Sequence, residues 1–300
     1  MFIHRKADAW IAGAPAKLNL FFEVLAKRTD GYHEIESLMC PIDLYDTLCF
    51  RENRTGQIEL ECRQATGRFS AHAASEIPQG RQNLVYRAVE LLRERAGVSA
   101  GATLHLVKRI PAEAGLGGGS SDAAAALFLA NEGWKLGWTT SELAGVAAEI
   151  GSDVPFFLVG GSAICRGRGE ILYREEGLAT LDFVVVRPPE GLSTAAVYGN
   201  CRPATSPRLV GPLVDALRRG NLGEAGPLLF NHLQPAAESL SPWIDRLRRE
   251  FATLDFLGHA MSGSGTSYFG LCRHARHARR LARLLNARGL GSVFAVQSCR

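Results

Sequence analysis

Up to about residue 62 the chain alternates short apolar runs with polar breaks. AWIAG, LNLFFEVLA, HEIESLMCPI, DTLCF and IELEC are rich in branched and aromatic side chains and are broken by Gly, Asp and Pro, a pattern that predicts strands. Residues 63–82 are polar and irregular and read as an exposed loop. Asn83 then caps an expected helix, LVYRAVELLRERA, with Gly97 as its stop. ATLHLVKRI (102–110) alternates as a strand does, and a helix is expected from about Ser121 to Lys135. Thr139-Thr140-Ser141-Glu142 makes a capping box for a helix that Gly151 closes.

SDVPFFL and a strand-like GGSAICRGRG come next, and LDFVVVRP (181–188) reads as a buried strand. Helices are expected at about 207–219, 222–231 and 241–254. Strands around HAMSGSG, SYFGLC and SVFAVQ then enclose the helix HARHARRLARLLNARG. This order predicts an α+β chain of two domains meeting at a cleft, 1–165 and 166–300, the second of them ferredoxin-like.

Composition narrows the function. The 300 residues are 46% hydrophobic and 21% charged, ordinary for a globular protein with an ample core. No run approaches the ~18 apolar residues of a membrane span. Asp8, Pro15 and Lys17 leave the N-terminus too short an apolar centre for a signal peptide, so no export is expected. The formal charge of +4 is spread over scattered cations, which argues against nucleic acid. Seven cysteines without CxxC spacing predict reduced thiols in the cytoplasm. His274 and His277 lie three apart but have no nearby carboxylate or thiol, and read as a solvated basic helix face.

The chemistry concentrates in 111-PAEAGLGGGSSDAAAALFLA-130. A strand, a glycine-rich turn and a helix in that order aim several free N–H groups at one point, where the helix dipole favours an anion. Glycines allow left-handed backbone and let a phosphate approach with no Cβ in the way. The chain holds no GK dipeptide, so the GxxxxGK[ST] loop is absent, and Ser120 stands where GxGxxG needs its third glycine. Only five lysines accompany 29 arginines, so Lys17 within PAKLNLFF reads either as a wanted point charge or as a strand-edge lysine reaching solvent. Asp153 reads equally as a helix N-cap or as a catalytic carboxylate.

PAEAGLGGGSSDAAAAL resembles the second motif of the GHMP kinases, the superfamily of galactokinase, homoserine kinase, mevalonate kinase and phosphomevalonate kinase. The blocks 14-APAKLNLFFEVLAKRTDGYHEIESLM-39 and 261-MSGSGTSYFGL-271 lie where that superfamily has its other motifs. PAKLNLF, KRTDGYH and 151-GSDVPFFL-158 are similar to a narrower branch, whose members phosphorylate a cytidylyl sugar alcohol for non-mevalonate isoprenoid synthesis. The match runs from about residue 14 to 297.

That resemblance implies an N-terminal domain of the ribosomal protein S5 domain 2 type. It also implies ATP-dependent phosphorylation of the 2-hydroxyl of 4-diphosphocytidyl-2-C-methyl-D-erythritol. Lys17 and Asp153 match the catalytic pair. Pro111, Ala112, Glu113, Ala114, Gly115, Leu116, Gly117, Gly118, Gly119, Ser120 and Ser121 match the ATP phosphate loop, with Asn83 near the adenine. Tyr32 and His33 match cytosine contacts, Tyr198 a second aromatic there, Thr194 the ribose or diphosphate side, and Asn19 the erythritol. Gly265, within Ser262–Thr266, belongs to a turn that supports the glycine loop, contacts substrate phosphates or is simply a tight turn. Mg²⁺ is expected on chemical grounds, with no evident protein ligands beyond Ser120, and Glu113 either faces solvent or helps hold the metal. The alternatives are another kinase of the homoserine or mevalonate type, which lacks the DGYH block, and a non-catalytic nucleotide- or nucleic-acid-binding module. A monomer or weak homodimer working away from membranes completes the expectation.

Overall fold

The computed structural model describes residues 1–65 and 77–299, so most of the expected polar loop lies outside the described residues. The chain opens with β1 (Phe2–Lys6), β2 (Ala9–Lys27), β3 (His33–Asn53) and β4 (Ile58–Gln64). Then come α1 (Leu84–Ala96), β5 (Gly101–Lys108), α2 (Gly118–Gly133), α3 (Thr140–Ile150) and α4 (Val154–Val159). A hairpin of β6 (Ser162–Gly167) and β7 (Ile171–Glu175) precedes β8 (Asp182–Arg187). The rest is α5 (Thr194–Asn200), α6 (Gly211–Arg218), α7 (Leu222–Ala225), β9 (Phe230–Asn231), α8 (Gln234–Leu240), α9 (Pro242–Ala252), β10 (Gly258–Met261), β11 (Tyr268–Cys272), α10 (Ala275–Ala287) and β12 (Ser292–Gln297).

The first sheet runs β1-β2-β3-β5-β4, with β6 and β9 added to β3 and β2. The four short strands expected before IELEC are in fact two long ones, because register shifts at Pro15/Ala16, Asn19/Phe21 and Val24/Ala26 let one strand turn past Pro15 without ending. Pairing carries this sheet through Glu175, past residue 165, and we place the boundary between the two units after β7. The second sheet, β10-β11-β8-β12, is antiparallel throughout. With helices between β8 and β10 and between β11 and β12, it has the β-α-β-β-α-β order of a ferredoxin-like unit.

β8 explains its own apolar run. Phe183 and Val185 face a core shared with Leu18 and Leu20 of β2, while Val184 and Val186 face Ile244, Leu247 and Leu281 of the helical layer. Alternate residues thus fill two cores, and no position is left for a polar side chain. The shared core seats the second sheet on the first and fixes the cleft between them. α2 is buried on nearly all sides, and Ala123–Ala126 keep it thin enough to lie against the first sheet.

Several elements differ from the sequence pattern. α2 starts at Gly118, inside the glycine run. Residues 222–231 give only a four-residue helix, a 3₁₀ turn and a short strand, since Gly226-Pro227 cannot continue a helix. α5 and α8 were not foreseen: both are too short to show a helical period. His277 is not on a solvated face. It is buried beneath α10, with Nε2 3.3 Å from Asp255 and Nδ1 accepting from Arg273 N. No helix among the described residues is long and apolar enough to cross a membrane.

Candidate active site

The glycine loop is anchored before it begins. Lys108, the last residue of β5, is buried between Asp46 and Asp122, with 2.5 Å to Asp122 Oδ2. Asp46 Oδ1 also accepts the N–H groups of Arg109 and Ile110, the latter at 2.9 Å. A carboxylate and a cation therefore lock strand end to helix start, and the chain between them must turn sharply. Burial, chiefly, pushes the Asp122 carboxyl well above its ordinary value, because one ammonium cannot neutralise two carboxylates.

Within the loop, Gly115 and Gly117 have left-handed φ of 71° and 69°. A Cβ at Gly115 would lie 2.2 Å from Ser262 O, and one at Gly117 would lie 3.0 Å from Lys17 Cγ. Bare backbone is needed for contact with the Ser262 turn and with Lys17. Ser262 Oγ donates to Gly115 O at 3.0 Å, Ser267 N to Ala114 O at 3.0 Å, and Lys17 N to Leu116 O at 2.9 Å. The third motif is thus a brace for the loop.

A cavity of about 490 Å³ lies outside this loop, lined by every residue from Pro111 to Ser120 and by Asn83, with Leu84, Leu106, Lys108 and Asp122. Asn83 both caps α1 through Val85 N and closes the cavity wall. Ser121 is the exception among the expected phosphate-loop residues: it turns inward, fully buried, and its hydroxyl oxygen has no partner.

A second cavity, about 1120 Å³, is lined by Lys17, Asn19, Tyr32, His33, Asp153, Thr194, Tyr198 and Gly265. Glu113, Gly115, Gly117 and Thr194 line both cavities, so the two meet at the loop. Beside that junction Lys17 Nζ, on buried β2, donates to Asn19 Oδ1 at 2.6 Å and stands 3.6 Å from Asp153 Oδ2. Asn19 Nδ2 is held in turn by Ser37 Oγ at 2.8 Å. Asp153 occupies the N-cap position of α4, yet its carboxylate makes no capping bond. The cap reading fails for the side chain, which is left to face the cavity.

In the same cavity His33 stacks on Tyr198 with ring centroids 5.2 Å apart. Burial, then the Lys27 charge, hold the His33 imidazole below its ordinary value. Burial, then the Asp153 charge, push the Tyr198 phenol up. Tyr32 is exposed, and the Arg168 guanidinium lies over its ring at 4.8 Å. Thr194 Oγ1 and Ser264 Oγ are 2.9 Å apart and bridge α5 to the Ser262 turn.

The sequence pattern did not single out Lys27, Arg168 and Arg202, which line the second cavity, or the Asp46–Lys108–Asp122 cluster. Lys27 and Lys108 belong to the same five-lysine minority that drew notice to Lys17, a signal that was available. Glu113 takes a left-handed φ of 52°, and its side chain is exposed and passes beside Gly191. No group of three metal-ligating side chains occurs among the described residues.

A family model described as "GHMP kinases N terminal domain" matches residues 83–161, and one described as "GHMP kinases C terminal" matches 213–289. Fold and site together are those of a GHMP small-molecule kinase. The 4-diphosphocytidyl-2-C-methyl-D-erythritol kinase of Pelotomaculum thermopropionicum is 43% identical over 271 residues, covering 90% of this chain and 91% of that protein. That of Exiguobacterium sibiricum is 38% identical, covering 90% and 92%. A crystal structure of 4-(cytidine 5'-diphospho)-2C-methyl-D-erythritol kinase superposes with a TM-score of 0.81 at 36% identity, covering 97% of this chain and all of that one. Homoserine kinase from Cytophaga hutchinsonii, at 19% identity and a TM-score of 0.77 over 100% of this chain and 97% of its own, shares the fold alone. The chain belongs to the 4-diphosphocytidyl-2-C-methyl-D-erythritol kinase family of the GHMP kinases.

Proposed function

We propose that the protein transfers the γ-phosphoryl group of ATP to the 2-hydroxyl of 4-diphosphocytidyl-2-C-methyl-D-erythritol, in the non-mevalonate route to isoprenoid precursors. The supporting observation is the meeting of two cavities at Glu113, Gly115, Gly117 and Thr194, beside Lys17 and Asp153. The smaller takes ATP, with the amides of 111–120 around its phosphates. The larger takes the cytidylyl alcohol, with its hydroxyl toward Asp153.

Asp153 accepts the hydroxyl proton as the oxygen attacks the γ-phosphorus and the bond to ADP breaks. Lys17, fixed by Asn19, stabilises negative charge on the attacking oxygen and the transferring group. Phosphoryl transfer rests mainly on such positioning and electrostatics. Asn19 and Gly265 border the erythritol end, while Tyr32, His33 and Tyr198 form the cytosine end. Ser120, at the helix start, and Glu113, at the junction, are the oxygen donors that would help hold Mg²⁺, whose charge would offset that of the phosphates. The free thiols support a reducing, cytoplasmic setting, and the scattered cations a life apart from nucleic acid and membranes, as a monomer or weak homodimer.

The test is ADP release from ATP with the purified cytidylyl alcohol, compared with mevalonate and homoserine. Turnover with the cytidylyl alcohol alone is expected. Turnover with either of the others in its place would overturn the substrate assignment, and none with any of them would overturn catalysis.

A further inference from the structure

Glu23 and Glu36 stand directly opposite each other in the β2–β3 register, and both are buried. Two like charges in that relation oppose strand pairing, and burying a carboxylate is costly unless it is paired and bonded. Their partners come from three other places in the chain: the segment after α5, the end of β9, and β6. Glu23 Oε2 accepts from Arg208 N at 2.8 Å, and its Oε1 pairs with His232. Glu36 Oε2 accepts from Val210 N at 3.4 Å, and its Oε1 takes Arg166 Nη2 at 2.8 Å.

Residues 201–210 are thereby pinned to the first sheet. Ala204 N donates to Val24 O at 3.2 Å, and the Arg208 guanidinium covers Phe230 at 4.1 Å. The segment begins where α5 ends, and Cys201, Arg202 and Pro203 line the larger cavity beside Tyr198. β9 extends the link: Asn231, next to His232, donates to Met261 O at 2.7 Å and to Gly263 O at 2.8 Å in the bracing turn.

We infer that Glu23 and Glu36 are positioning residues that seat the 201–210 wall and so set the width of the pocket for the nucleotide end of the acceptor. The inference rests on the proposed substrate. It assigns the pair no contact with the reacting atoms. Loosening the wall weakens binding of the cytidylyl end and leaves the ATP side, built on β5 and α2, as it was.

The test is Glu23→Gln and Glu36→Gln, each with KM for both substrates, kcat, calorimetric binding of CDP, and amide exchange. The expected result is a KM for the cytidylyl alcohol and a Kd for CDP raised by about tenfold or more, with ATP KM and kcat near wild type. The amides of Arg208 and Val210 should exchange faster while those of β8 do not. Should Glu23→Gln not fold, Glu36→Gln and Arg166→Met read the same clasp from its exposed side. Unchanged CDP binding in folded variants, or equal losses for both substrates, overturns the inference. A wild-type protein that ignores the cytidylyl alcohol fails the functional proposal instead, and CDP binding still reports on the clasp.

Discussion

Lys17 Nζ and Asp153 Oδ2 are 3.6 Å apart, although one residue lies on the second strand and the other follows the third helix. Lys17 is buried while Asp153 is about a third exposed, so the cation is fixed and the carboxylate remains reachable. Asp153→Asn keeps the shape and removes the base. Turnover should fall by at least the ~10²–10⁴-fold that a positioned base contributes, with ATP affinity nearly intact. Steady-state kinetics with nucleotide binding checks this, and near-normal kcat would remove Asp153 from the mechanism.

His33 should matter for one substrate only. His33→Ala loses the stack on Tyr198 and should raise KM for the cytidylyl alcohol much more than KM for ATP. The pH dependence has a definite sign. Because its folded value lies below the ordinary ~6.5, the unfolded chain protonates first, and this residue's share of stability falls as pH drops through that window. Thermal melts of wild type and His33→Gln between pH 5 and 8 should converge toward the acid end if the assignment holds.

The Asp46–Lys108–Asp122 cluster should be a stability determinant. Lys108→Met leaves two buried carboxylates without their cation, a change that costs about 3–5 kcal/mol. Asp122→Asn should be far milder, since it copies the neutral form that burial favours. With its folded value raised, Asp122 contributes stability that is complete below the ordinary ~3.9 and is lost as pH rises through the raised value. Urea denaturation against pH should therefore show a flatter alkaline decline for Asp122→Asn than for wild type.

Gly117→Ala tests whether bare backbone is required. Left-handed φ costs a residue with a Cβ ~1–2 kcal/mol. The new methyl would also press on Lys17 Cγ and Phe157. A shift of ~1 Å at the catalytic ammonium is worth about 10²-fold in rate. The variant should melt a few degrees lower yet lose most of its turnover. Full activity at normal KM for ATP would show that the loop tolerates a side chain there.

Much of the site was legible in the residues themselves. The glycine run marked a stretch where bare backbone is required, and the structure shows close approaches there to the Ser262 turn and Lys17. The capping box at Thr139–Glu142 and the Asn83 cap formed as read, since both are local hydrogen bonds. The ferredoxin-like order of the second unit followed from element order alone. Short helices such as α5 left no period to detect, and Pro15 looked like a strand break because bulges are set by the partner strand.

The sequence by itself determined the local chemistry: where the backbone is bare before a helix, which helices are capped, and which residue types stand in the motifs. Only the tertiary structure decided the relations among them: the two cavities joining at Glu113 and Thr194, Asp153 leaving its cap for Lys17, Ser121 turning inward, and His277 going under its helix. The physical reason is range. Caps and turns close within a few residues, whereas the cleft exists because Phe183 and Val185 share a core with Leu18 and Leu20 across more than half the chain.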